Sequence, residues 1–339
     1  MSTAPVRSSI ANLATNDPAT EEVRERPTTT DEECISFFED YLETERKSLK
    51  TFYKDEDIPK LGAKAKTMFG ALIELGCKKE TAQQLTLLTL YDIVMLIDDS
   101  RSMKTEQKGE RIETLHRTID EITRIYDYAN EKGIKSVKFL NEKKGIANVK
   151  NKNWKRNFKN KVYNGVTKIG TSLSQKVLDK FVWGETMTKP LLVMIITDGD
   201  VEGEREGLLA DVIASCVERL AKDEQRGKQA VSFHFSRVGN DKEAQKLLEK
   251  MDDSEAFGDH VDCLPANDAL EKLRDPTGQH KWTLPKLLLG AISIYWDQEG
   301  DDVVVDVTAN TEAAPKEDDS DEDADAGSSD DDDDDADDE

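Results

Sequence analysis

Short apolar runs rich in β-branched residues alternate, from about residue 92 to residue 294, with stretches that place an apolar residue every three or four positions. An unbroken apolar run suits a strand buried on both faces, and the three-or-four repeat suits a helix with one buried face. Their alternation predicts parallel strands joined by helical crossovers. Residues 92–97, 137–140, 191–196, 230–238 and 261–264 read as strands, and 173–182, 208–220, 242–251 and 284–294 as helices. Ile112, Leu115, Ile119, Ile122, Tyr126 and Ala129 mark the apolar face of a further helix. The fold class that follows is α/β, a doubly wound, mostly parallel sheet of about six strands with helices on both faces. Amphipathic helices are also expected over 31–53 and 60–75, ahead of the sheet.

Composition sets the ends apart. Residues 1–30 are rich in Ser, Thr, Pro, Ala and Glu without an apolar period, and are expected to be disordered because they cannot bury enough surface to offset the entropy of ordering. The chain's formal charge is −24, and residues 315–339, with 16 acidic residues and one lysine, carry −15 of it. The organisation expected is a disordered segment over 1–30, a helical lead-in over 31–84, a main domain over 85–297 and an acidic disordered tail over 298–339. No apolar stretch approaches the roughly 20 residues that a membrane span needs, and none follows Met1 as a leader would. Cys34, Cys77, Cys216 and Cys263 are widely spaced and distant in sequence from His116, His234, His260 and His280, which argues for free thiols rather than zinc or disulfides. An intracellular protein, cytoplasmic or nuclear, is the expectation.

The strand at 92–97 ends in Asp98-Asp99-Ser100-Arg101-Ser102, with one carboxylate and two hydroxyls at alternate positions. Oxygen donors at the carboxyl end of a strand in an open α/β sheet suit a hard divalent cation such as Mg²⁺. Two more loops offer oxygens: residues 165–173, which contain Thr167 and Thr171, and Thr197-Asp198-Gly199 after the strand at 191–196. An alternative without metal is that these residues cap the helices that follow.

In this order, on these elements, the three loops resemble the metal-ion-dependent adhesion site of the von Willebrand factor type A domain, also called the integrin I-like domain, of the form D-x-S-x-S, then T, then D. The resemblance covers about residues 85–296 and looks closest to fungal intracellular members, through the wording around Leu90-Tyr91-Asp92-Ile93-Val94, 165–173, Ile196-Thr197-Asp198-Gly199 and Arg237-Val238-Gly239-Asn240-Asp241. It implies Mg²⁺ or Mn²⁺ held by the hydroxyls of Ser100, Ser102 and Thr167, with Asp98 and Asp198 binding directly or through water. Thr167 is chosen as the residue six before Leu173, and Thr171 is the fallback. The resemblance also implies a binding module without catalytic activity, and a closing helix, here 284–294, that shifts with occupancy. Many family members have glycine where this chain has Arg101, and Asp99 and Asp200 add nearby carboxylates. A site with three neutral hydroxyls and two carboxylates leaves the cation short of anionic donors, so the expected partner is a protein that offers Asp or Glu to the metal.

Residues 143–168 reverse the chain's charge: Lys143, Lys144, Lys150, Lys152, Lys155, Arg156, Lys159, Lys161 and Lys168, with no acid and with Trp154, Phe158 and Tyr163 between them. The reading preferred is a solvated loop and short hairpin anchored by its aromatics. The other uses the segment, with the acidic tail, in a nucleic-acid or histone-associated factor. The tail is also long enough to reach the metal site as an internal competitor for partners. The enzyme alternative is a magnesium-dependent phosphohydrolase with Asp98 as nucleophile, but that chemistry wants D-x-D and Ser100 occupies the second place. No G-x-G-x-x-G follows a strand. His234, between Phe233 and Phe235, reads as a core or face residue rather than a base.

Overall fold

The structure, a computed structural model, describes residues 26–184, 187–199, 201–239, 241–264 and 283–297. Of the disorder expected over residues 1–30, residues 1–25 lie outside the described residues, as do the tail over 298–339, the position of Asp200 and any contact of the tail with the metal site. Thr30, by contrast, is the N-cap of the first helix and bonds reciprocally with Glu33.

Six strands form one sheet: β1 (Asp92–Ile97), β2 (Ile134–Phe139), β3 (Ile146–Val149), β4 (Leu191–Thr197), β5 (Val231–Arg237) and β6 (Val261–Cys263). Their spatial order is β3-β2-β1-β4-β5-β6, parallel throughout except for the antiparallel edge strand β3. The chain winds outward in both directions from β1 and β4, so the reversal of strand order falls between them, where α/β sheets open a crevice at the carboxyl ends of the strands. Asp98 follows β1 and Asp198 follows β4 at this point.

The central strands explain why both faces are covered. Ile93, Met95 and Ile97 of β1 and Leu192, Met194 and Ile196 of β4 enter one apolar cluster, while Val94, Leu96, Leu191, Val193 and Ile195 enter the other. Side chains alternate between faces along a strand, so a run apolar at every position requires cover on both sides. The second face is covered by α7 (Ile169–Ser172) with the π-helical run Leu173–Trp183 that continues it, by α8 (Leu208–Ala221) and by α9 (Lys242–Asp252).

The first face is covered by α5 (Glu110–Ala129), α6 (Asn151–Phe158), α10 (Thr283–Leu289) and the N-terminal α1 (Asp31–Thr44), α2 (Ile58–Glu74) and α3 (Lys79–Leu85); the short α4 (Ser102–Thr105) follows the first site loop. Phe38, Leu72 and Leu85 of the N-terminal helices share one core with Leu115, Ile122 and Leu288, so the lead-in packs on the sheet domain.

Three expectations are corrected. The helix read over 31–53 stops at Thr44 and resumes as a 3₁₀ turn at Lys47–Phe52, because Arg46 turns inward between them. The closing helix stops at Leu289 rather than 294: a turn follows in which the Ala291 and Ile292 carbonyls accept from Arg46 instead of from helical N–H groups, and helical backbone resumes at 294–297. The basic segment contains the helix α6, not only a loop and hairpin. Its aromatics do anchor it, since Trp154, Phe158 and Tyr163 are all buried. The described cysteines form no disulfide, and His234 is fully buried, 2.5 Å from Asp262.

Candidate metal centre

The three loops converge at the carboxyl end of the sheet. Ser100, Ser102, Thr167 and Asp198 line one cavity of about 220 Å³, together with Arg101, Thr105, Glu106, Arg111, Gly165, Glu202 and Asp241. Asp98 is not on its wall but behind it. One Asp98 carboxylate oxygen accepts the Ser100 N–H at 2.8 Å and the other accepts the Thr197 hydroxyl at 2.7 Å. The Thr197 hydroxyl thereby ties the third loop to the first, and its oxygen in turn accepts the Gly199 N–H at 3.0 Å. Gly199 has φ +96°, and a Cβ there would run into Ala244 of α9, so glycine is needed both for the turn and for the close packing behind it.

Ser100 and Ser102 hydroxyls lie 2.9 Å apart, so alternate positions after β1 place two neutral oxygens side by side. The second loop is held against the first by the Arg101 N–H donating to the Gly165 carbonyl at 3.3 Å and the Asn164 N–H donating to the Asp99 carbonyl at 2.8 Å. Gly165, with φ +113°, passes the Asn141 side chain where a Cβ would overlap its amide. Thr167 is 3 % exposed and reaches the cavity. Thr171, the fallback, is engaged elsewhere: its N–H and hydroxyl both donate to Glu204 at 2.8 Å, and Glu204 also accepts the Gly170 N–H.

The two extra carboxylates divide. Asp99 is turned away from the cavity, accepting from the Asn141 N–H at 2.8 Å and pairing with Lys161, so it does not add charge to the site. Asp200 is outside the described residues. Arg101 is exposed at the mouth.

Asp198 carries the decisive detail. One of its carboxylate oxygens pairs with the buried Arg111 guanidinium at 2.7 Å, while the other, Oδ1, is buried and has no hydrogen-bond partner among the described residues. An unpaired carboxylate oxygen beside a cavity is available to a ligand. Burial, and then the neighbouring Asp198, push the Asp98 carboxyl up to about 7, against the lowering effect of its bonds to Ser100 and Thr197. Two facing carboxylates with one guanidinium leave the site short of positive charge.

All the donors are oxygens, which suits Mg²⁺ or Mn²⁺ rather than a soft metal. No group of three His, Cys, Asp or Glu side chains able to hold a metal occurs among the described residues, so a cation here would need hydroxyl ligands as well.

The sequence motifs assign no role to Arg111 or Glu106, and place Thr197 in the third loop without its bond to Asp98. Arg111 has a sequence signal: it stands four before Leu115, on the buried side of α5, whereas Ile112 of the apolar stripe is only partly buried. A charged residue on an apolar stripe signals a buried partner. Glu106, which pairs with Arg111 at 2.5 Å, had no such signal.

No family model matches the chain, and no curated protein matches it. Among solved structures it is similar to a crystal structure of the manganese-loaded TRAP protein of Plasmodium vivax, at 16% identity over 56% of this chain and 73% of that one, with a TM-score of 0.34.

Proposed function

We propose that this chain is a non-catalytic, intracellular protein-interaction module of the von Willebrand factor type A kind, whose site takes Mg²⁺ or Mn²⁺ and offers it to an aspartate or glutamate of a partner protein. The observation that carries the reading is the unpartnered, buried Asp198 Oδ1 on a cavity shared with Ser100, Ser102 and Thr167. Those three hydroxyls would hold the ion, with Asp98 and Asp198 bound directly or through water. When bound, such a cation supplies an electrophilic centre for one more carboxylate oxygen. The chain's own residues prepare the place: Thr197 and the Ser100 N–H fix Asp98, and Arg111 fixes Asp198 and offsets its charge.

The cavity, about 220 Å³, is smaller than the roughly 300–1,000 Å³ common for small-molecule sites and suits a single side-chain carboxylate. Ser100 stands where a phosphohydrolase would need its second aspartate. Among the described residues no helix is long and apolar enough to cross a membrane, and the widely spaced thiols support a reducing compartment.

Isothermal titration of the full chain with MgCl₂ or MnCl₂ tests this. One saturable site is expected, lost in Asp98→Ala. No uptake by the folded wild type would overturn the reading, and so would phosphatase turnover that disappears in Asp98→Asn.

A further inference from the structure

The segment that carries Thr167 to the site also carries an exposed basic surface. Helix α6 buries Trp154 and Phe158, four residues apart, and exposes Lys152, Lys155 and Arg156, with Lys159 directly after it. Positions offset by three, four and seven share one helix face, so these four cations form a single outward ridge. Lys155 has a surface pairing with Asp120 at 3.5 Å.

Beyond the ridge the chain runs toward the cavity with two exposed apolar side chains, Val162 at 68 % and Val166 at 37 %. It is held there. Lys161 is locked to Asp99 and to Glu142, the Asn164 N–H donates to the Asp99 carbonyl, and the Gly165 carbonyl accepts from the Arg101 N–H. Lys168 and Arg101 are exposed where the segment reaches the site, and Arg101 lines the cavity itself. Cations, then two valines, then cations again therefore lie along one anchored path that ends at Thr167.

We infer that the partner segment is an acidic peptide with apolar residues among its carboxylates, one carboxylate at the cavity and the others along this strip; the inference rests on the reading of the cavity as a carboxylate-accepting site. The helical part of the strip is about 10 Å long at about 1.5 Å per residue, and the stretch from Lys161 to Lys168 spans at most about 28 Å, so about ten extended peptide residues would cover it. Nucleic acid fits less well. The segment's aromatics are buried and give no stacking platform, and the exposed valines have no counterpart in a phosphate backbone.

The test is fluorescence anisotropy of the full chain with a labelled peptide of about twelve residues that repeats Asp-Asp-Leu, with its Asn-for-Asp counterpart as control and a short DNA duplex as competitor, at low salt. With Mg²⁺ present, the Asp peptide binds and the Asn peptide does not. K152E/R156E/K159E weakens binding about tenfold and V162S/V166S about threefold, with unchanged thermal melts because the replaced side chains are exposed. Raising NaCl to about 300 mM weakens the wild type without any substitution. Affinity indifferent to both the lysine–arginine variant and salt would overturn the inference, as would a duplex that binds more tightly than the peptide. The two readings fail separately. Binding that survives EDTA and Asp98→Ala but depends on the ridge leaves the strip standing and removes the cation; binding lost in EDTA but indifferent to the ridge does the reverse.

Discussion

Arg46 and Arg111 are both buried, at 6 % and 4 % exposure, and they face opposite kinds of partner. Arg46, just past α1, donates to backbone carbonyls: Nε to Ile292 at 3.2 Å, Nη2 to Ala291 at 3.0 Å and Nη1 to Asp259 at 3.5 Å. Around it Tyr41 donates to the Ile292 carbonyl at 2.7 Å, and the Ile294 N–H donates to Glu45 at 3.0 Å. Arg111 faces the side chains of Asp198, Glu106 and Gln107, and beside it one carboxylate oxygen is left over. The first cluster is closed: a guanidinium serves the carbonyls that follow α10, where a cation also meets the negative end of the helix dipole. The second is open on a cavity. The carbonyls and hydroxyls that Arg46 and Tyr41 serve are paired among themselves, although Ser293 Oγ and the His260 ring nitrogens beside them have no partner among the described residues, whereas the unpaired Asp198 oxygen belongs to a residue that lines a cavity.

Breaking the closed cluster should cost the most. Arg46→Ala removes the guanidinium donors of the Ala291 and Asp259 carbonyls and one of two donors to Ile292, at about 1–3 kcal/mol per group left unpaired, and because such costs are not additive the expected loss is about 3 kcal/mol. For a domain of this size that lowers Tm by about 6–12 °C, read by calorimetry. Cation binding by the folded variant should be unchanged. A loss below about 1 kcal/mol would mean that water replaces the guanidinium, and the cluster would not be closed in the sense argued.

How far these clusters could be read from the sequence differs for physical reasons. The strand at 92–97 and the helices at 208–220 and 242–251 were legible to within a residue, because their apolar spacing is set by the same two faces of the sheet that bury them. Helix α6 was not, since only Trp154 and Phe158 among its eight residues are apolar; it is fixed by the Trp154 ring N–H donating to Asp120 at 2.7 Å and by rings packed on His116 and Phe139. The order Asp-x-Ser-x-Ser, Thr, Asp showed which loops meet. It did not show that Asp98 sits behind the cavity, because the Thr197 hydroxyl that holds it there comes from a different strand. Arg46 gave no local signal at all: its partners are more than 200 residues away in sequence.

Opening the second cluster further should sharpen the contrast. By formal charge Asp98, Asp198 and Glu106 against Arg111 give the inner cluster −2, and Arg111→Gln takes it to −3. Affinity for Mg²⁺ should rise about tenfold, equivalent to about 1.4 kcal/mol, measured by titration calorimetry. The cation-free variant should be less stable than the wild type, because Asp198 loses its counter-charge, and saturating Mg²⁺ should restore much of the difference. An unchanged or weaker affinity would show that Arg111 orients Asp198 for the ion rather than competing with it.

The smallest effect concerns proton order inside the closed cluster. The Tyr41 and Tyr91 oxygens are 2.6 Å apart, and burial pushes both phenols up, so both are neutral hydroxyls with one proton each. Tyr41 uses its proton on the Ile292 carbonyl, so Tyr91 must be the donor between the two rings. Tyr41→Phe then strands the Tyr91 proton and removes one of two donors to Ile292, at a cost of about 1 kcal/mol. Tyr91→Phe removes a donor from Tyr41 but leaves the bond to Ile292 intact, so it should cost about half as much. Urea unfolding of the two variants side by side separates them. Equal losses, or a larger loss for Tyr91→Phe, would reverse the proton order and leave Arg46 alone to serve the Ile292 carbonyl.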